Sequence, residues 1–434
     1  MLKFSFERAT RTCGGTRRRD FLSIGSLGLG GLGLPQLLAA RAAANNNGEP
    51  AKDTSVIWLW LGGGPTHVET FDPKMTAPLE YRSVTGEVTT NLPGVSLGGT
   101  FPKMAQVMDK LALVRSFAHR NSGHGGGTHW VMTGYDNRQI DNGGLPSRPS
   151  FGSILARTRG TNHPSTGIPT YVKLSGISSD GPAFLGTAFG AFDPGGQARK
   201  NMQLTIQRAR LDDRRKLLQS LGDTRRVIDN NGLINGLNAF ESQAFDLVVS
   251  ESQKAFDLKH ENPQTVARYG DGLGKQLLMA RRLCEAGCGF VTIHYGGWDM
   301  HSNIANSMKG RSPQMDQAVA ALVTDLHERS LQDNILLVIS GEFGRTPKVN
   351  GNQGRDHWAP LSTLAFSGGG LQMGTVVGES DAKISVPRST PITPQDLMAT
   401  LFSVLGIDAK SQFVNQAGRP VAMLDDGQPI AELL

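Results

Sequence analysis

Six apolar runs punctuate the chain: SVIWLWL (55–61), LALVRSF (111–117), TYVKL (170–174), GFVTIHY (289–295), NILLVIS (334–340) and STLAFSG (362–368). Continuous runs of this length, closed by glycine or polar residues, predict strands buried on both faces. Between some of them the period changes to that of a helix. In 312–330, Met315, Val319, Leu322 and Leu326 form one stripe, with Ser312 read as the cap and Pro313 as the first turn. In 393–406, Thr393 caps, Pro394 opens, Leu397, Leu401 and Leu405 form the stripe, and Gly406 stops it. Strands alternating with helices predict an α/β fold, a mostly parallel central sheet with helices on both faces. Residues from about 195 to 265 are polar, charged and without strong strands, and are expected to be a helical insertion in that body.

Charge changes the picture only at the start of the chain. Of 434 residues with net charge +6, the first 44 hold seven Lys/Arg against Glu7 and Asp20. The remainder is nearly balanced and gives no reason to expect nucleic-acid or anionic-membrane binding. RRDFL (18–22), a Gly/Leu stretch and Ala42-x-Ala44 resemble a twin-arginine signal peptide spanning residues 1–44. That resemblance implies passage through the twin-arginine export machinery to the periplasm or cell envelope. A retained N-terminal anchor is the alternative. The stretch is too short and glycine-rich for a transmembrane span, so none is expected in the mature chain. Beyond it stand only Cys284 and Cys288, read as buried thiols rather than a zinc knuckle.

In open parallel sheets, ligands bind beyond the carboxyl ends of the strands. Four of the loops expected there carry chemistry: His67, Glu69, Asp72 and Lys74; His119, Asn121, Ser122, His124, Thr128 and His129; Asp299, His301 and Asn303; Glu342, Arg345, Asp356 and His357. Seven of the ten histidines lie in or beside them. Carboxylates with imidazoles suit zinc, manganese or iron better than calcium or magnesium. The glycines of these loops are expected to let backbone approach a small ligand.

GGGPTHVETFDPK (62–74), ARRLCEAGCGFVTIHYGGWDMHSN (280–303) and SGEFGRTPKVNGNQGRDHW (340–358) resemble domain-of-unknown-function family 1501. The order of loops, and the ending RDHWAPLSTLAFSGGG followed by ITPQDLMATLFSVLGI, more loosely resemble the alkaline-phosphatase-like superfamily, which includes sulfatases. The resemblance implies one such domain over 52–434 and one or two divalent metal ions. It implies Asp299 and His301 as ligands of one metal, joined by His357. Glu342 stands where the superfamily carries Asp-His, and Asp72 is the nearest candidate for the early aspartate. His124 falls near the nucleophile position and is read as ligand or nucleophile, with Thr128 as a displaced hydroxyl nucleophile. The absence of cysteine there excludes a formylglycine. Arg345 or Lys74 would neutralise developing charge. The implied activity is hydrolysis of phosphate or sulfate esters on a small molecule or glycan. The alternatives are a catalytically degenerate module that binds a glycan or a protein, and a metal-dependent transferase.

Overall fold

The structure, a computed structural model, describes residues 53–195 and 251–434. The signal-like segment and residues 196–250 of the expected insertion lie outside them.

The apolar runs form a seven-stranded sheet. Its strands are β1 (Ser55–Trp60), β2 (Ala112–Val114), β3 (Tyr171–Lys173), β4 (Phe290–His294), β5 (Ile335–Ser340), β6 (Leu364–Gly368) and β7 (Thr375–Val377), in the order β7-β2-β6-β5-β1-β4-β3. Only β6 runs against its neighbours; every other pairing is parallel. The edge strand β7 follows no apolar run long enough to announce it.

Alternate residues of β1 face opposite sides. Ile57 and Leu59 pack towards α4 (Leu273–Glu285) and α5 (Ile304–Glu328). Val56, Trp58 and Trp60 pack towards α3 (Phe151–Arg159) and α6 (Pro394–Leu405). Helices therefore cover both faces, as the alternating pattern requires. α6 begins with a capping box between Thr393 and Asp396 and ends at Gly406 in the left-handed region. α5 departs from expectation. It starts at Ile304 rather than at Ser312, and Pro313 lies inside it. The buried stripe extends upstream through Ile304 and Met308, and that burial outweighs the hydrogen bond a mid-helix proline forfeits. Where the described chain resumes, Glu251–Phe256 and Leu258–His260 are 3-10 turns and Pro263–Tyr269 is a short α-helix. Cys284 and Cys288 are buried free thiols, and burial raises both pKa values, that of Cys288 to about 12. No helix among the described residues is long and apolar enough to cross a membrane.

The register fixes where the loops emerge. Trp60 stands beside His294 and Ser340, so β1, β4 and β5 end at one edge. Leu364, where the antiparallel β6 begins, is also opposite Ser340. The segment leading into β6, which carries His357, thus arrives at the same edge from the other direction.

Candidate metal centre

Three imidazoles meet one carboxylate at this edge. Asp299 follows β4, His357 precedes β6, and His124 opens α2 (His124–Thr133). Their ligand atoms lie within 4.8 Å of one another. His301 adds a fourth donor. Its Nε2 is 2.9 Å from Asp299 Oδ1 and 3.1 Å from His357 Nε2. His357 Nε2 is 3.1 Å from the same Oδ1, and His124 Nε2 is 3.5 Å from Asp299 Oδ2.

The other ring nitrogens explain this orientation. His357 Nδ1 donates to the Ser122 carbonyl at 2.9 Å, and a carbonyl can only accept. His301 Nδ1 donates to Asp356 Oδ1 at 2.6 Å, and His124 Nδ1 to Glu342 Oε1 at 2.8 Å. A neutral imidazole whose Nδ1 carries the proton presents a bare Nε2. Outer oxygens fix metal-binding histidines in this way. The bare Nε2 atoms of His301 and His357 and the Asp299 oxygen face one another at about 3 Å. That separation is repulsive between lone pairs and suits donors sharing one ion at about 2.0–2.1 Å. The residues present fit a divalent metal. Glu342 Oε2 is buried without a hydrogen-bond partner, a further sign of uncompensated negative charge.

Charge follows the same pattern. Burial would raise the Asp299 carboxyl, but the Arg345 guanidinium bonded to it, with His357 and His301, brings its pKa down to about 2. The bond to Glu342 raises His124 above the ordinary imidazole value. Burial lowers His357. The His301 bond, with Asn350, lowers Asp356.

Several expected site residues serve elsewhere. Asp72 accepts from Ser380 and lies 3.6 Å from Arg115, so it does not join the cluster. Lys74 spends its ammonium on Ser380 and the Asp381 carbonyl. Thr128 is buried and donates to the His124 carbonyl at 2.6 Å along its own helix, which removes its hydroxyl from the pocket. Glu342 orients His124 and accepts from the Gly63 amide at 2.8 Å, a supporting rather than an outward-facing place. Arg345 is fully buried, and four of its five N–H donors go to protein oxygens. Nε goes to Gly64 O at 2.8 Å; Nη1 to Arg355 O at 3.0 Å and towards His301 Nε2 at 3.4 Å; Nη2 to Gly63 O and Asp299 Oδ1. The remaining Nη1 hydrogen faces His301 Nε2, whose single lone pair a bound metal would take. The glycines also play a different part from that expected. A Cβ at Gly63, where φ is +112°, would stand 2.5 Å from the Asp299 amide, and one at Gly64 2.3 Å from the Phe343 ring. They allow the loops to pack on each other, not a ligand to approach.

Of the remaining clustered histidines, His67, His119 and His129 are buried and bonded to backbone, and His294 packs against Gly62. Three supports had no individual sequence signal: the Ser122 carbonyl, the Asn350 amide holding Asp356, and Arg355. Arg355 makes a solvent-free pair with Glu69 at 2.8 Å and fixes the chain just before Asp356–His357.

The family model described as "Protein of unknown function (DUF1501)" matches residues 53–434. No curated protein matches the chain by sequence. Among solved structures, the PsFucS1 sulfatase from Pseudoalteromonas sp. is similar at 12% identity, covering 86% of this chain and 71% of that one, with a TM-score of 0.41. Alkaline phosphatase from the Antarctic bacterium TAB5 is similar at 12% identity, with 83% and 100% covered and a TM-score of 0.36. The lipoteichoic acid synthase LtaP from Listeria monocytogenes is similar at 10% identity, with 87% and 76% covered and a TM-score of 0.36.

Proposed function

The chain belongs to the DUF1501 family, and from that premise we propose that it is a metal-dependent hydrolase of phosphate or sulfate esters. Membership assigns no activity, so the reading rests on the site. The observation that carries it is the convergence of three Nε2 atoms on Asp299, each with its Nδ1 held by an oxygen. His124, Asp299, His301 and His357 would hold the ion. Three nitrogen donors and one carboxylate favour zinc or iron over calcium and magnesium. When bound, the metal would supply Lewis acidity to an ester oxygen. The chain's own residues hold that position open. Asp299 and His301 are each nearly half exposed at the side chain, so a substrate can reach them, while Glu342 and Arg345 underneath are buried. An exported protein, delivered by the twin-arginine route to the periplasm or envelope, is part of the same proposal and rests on residues 1–44.

One observation favours a second reading, a binding module that has lost catalysis. The Thr128 hydroxyl is spent on a helical carbonyl, and four of the five Arg345 donors are spent on protein oxygens. Purified protein stripped with a chelator and reloaded with zinc, manganese or iron separates the two on aryl phosphate and aryl sulfate esters. Turnover that needs metal and vanishes in Asp299→Ala supports the hydrolase. Undiminished turnover in Asp299→Ala refutes it. Metal uptake without turnover on either ester supports the binding module.

A further inference from the structure

The charges around Arg345 bear on how many ions the centre takes. Asp299, Glu342 and Asp356 all act on this guanidinium. They contribute three negative charges and Arg345 one positive, while imidazoles that ligate through Nε2 are neutral. The cluster therefore carries a formal charge of −2, with Glu342 Oε2 buried and unpaired. Glu342 is buried and Asp299 nearly half exposed, while Asp356 is exposed; charge held away from water without compensation is costly, and a fixed cation avoids that cost.

Arg345 is fixed in this sense. It bonds four groups on three loops that build the site: the Gly63 and Gly64 carbonyls after β1, Asp299 after β4, and the Arg355 carbonyl ahead of His357. In a two-residue antiparallel ladder between Gly344–Arg345 and His357–Trp358, Arg345 stands opposite His357 itself. It bonds the same Asp299 oxygen on which His301 and His357 converge. With four donors on protein oxygens, the guanidinium cannot swing aside without leaving buried carbonyls unpaired.

Building on the metal-centre reading above, we propose that the centre is mononuclear: Arg345 is its resident second cation, and one divalent ion completes the charge. The arrangement neutralises with a single M2+ and would be left at +2 by a pair. Arg345 is thus a positioning and charge-balancing residue for Asp299, not a group that touches substrate.

The test counts zinc. Protein loaded with excess Zn2+ and passed through gel filtration in metal-free buffer is measured by elemental mass spectrometry, with Asp299→Ala/His357→Ala setting the background from other residues. One equivalent above background is expected in the wild type and in Arg345→Lys, which keeps the charge. Arg345→Gln, one unit more negative, is expected to retain more than one equivalent at saturation. Two equivalents in the wild type overturn the inference while leaving the metal centre intact. No zinc above background overturns the underlying reading instead. Arg345→Gln that folds and still retains a single equivalent removes the charge-balancing role. If Arg345→Gln fails to fold, the wild-type and Arg345→Lys counts decide the stoichiometry.

Discussion

Arg355 and Glu69 form an ion pair in which neither side chain reaches solvent, joining positions 286 apart in the chain. Thr66 and the Val84 amide also bond Glu69, and the Thr346 and Pro347 carbonyls also bond Arg355. The pair ties the loop after β1 to the turn that delivers Asp356 and His357. Removing one partner of a buried pair leaves an uncompensated charge and costs about 3–5 kcal/mol. Glu69→Gln is expected to lose that order of stability in urea denaturation and to weaken metal binding. A loss under 1 kcal/mol would mean that the pair does not anchor the loop.

Gly63 has φ +112°, and its Cβ position is occupied by the Asp299 backbone. Gly63→Ala should displace Asp299 and cost at least about 2 kcal/mol from strain and overpacking together. Retained metal affinity, measured by zinc titration against a chromophoric chelator, would show that the loops can separate without consequence. Gly86, with no atom within 4 Å of its Cβ position, is the control.

Thr128→Ala is expected to keep both metal content and turnover. Its hydroxyl bonds a helical carbonyl four residues back, so its loss should cost about 1 kcal/mol or less. A drop in kcat of a hundredfold or more, with metal content unchanged, would return Thr128 to the nucleophile role.

Acid should destabilise the protein through two buried histidines. Burial holds His67 and His119 near pKa 4. His119 donates to the Glu342 carbonyl through Nε2 and accepts the Asn121 amide at Nδ1, so it has no place for a second proton. His67 Nδ1 is buried and unpaired. The unfolded chain takes up these protons near the ordinary value of about 6.5 and the folded one only near 4. Stability is therefore full above about pH 6.5 and falls as the pH drops towards 4, by roughly 3 kcal/mol per histidine. His119→Gln should flatten part of this slope in urea titrations from pH 7.5 to 4. An identical slope in the variant would contradict the assignment.

The sheet was legible because strands buried on both faces read as unbroken apolar runs, and α6 because its caps are local. The three-residue edge strand Thr375–Val377 and the true start of α5 were not, since each depends on packing that no local pattern encodes. The same division holds at the site. Asp299, His301 and His357 could be picked out because a loop leaving a buried strand rarely carries such a set without use. What orients them could not. A carbonyl such as that of Ser122 has no residue signature, and Glu69 and Asp72 are equally plausible ligands until the fold pairs one with Arg355 and gives the other to Ser380. Arg345 shows the limit from the other side. Its chemistry suits an oxyanion, and only its bonds to the Gly63, Gly64 and Arg355 carbonyls and to Asp299 show that the fold has used it.

The most direct test of the centre is anomalous diffraction at the zinc edge from crystals of zinc-loaded protein. A peak bonded to Asp299 and to Nε2 of His124, His301 and His357 is the predicted result. A strong peak elsewhere, or none at this cluster in fully loaded crystals, would contradict the metal centre and the hydrolase reading built on it.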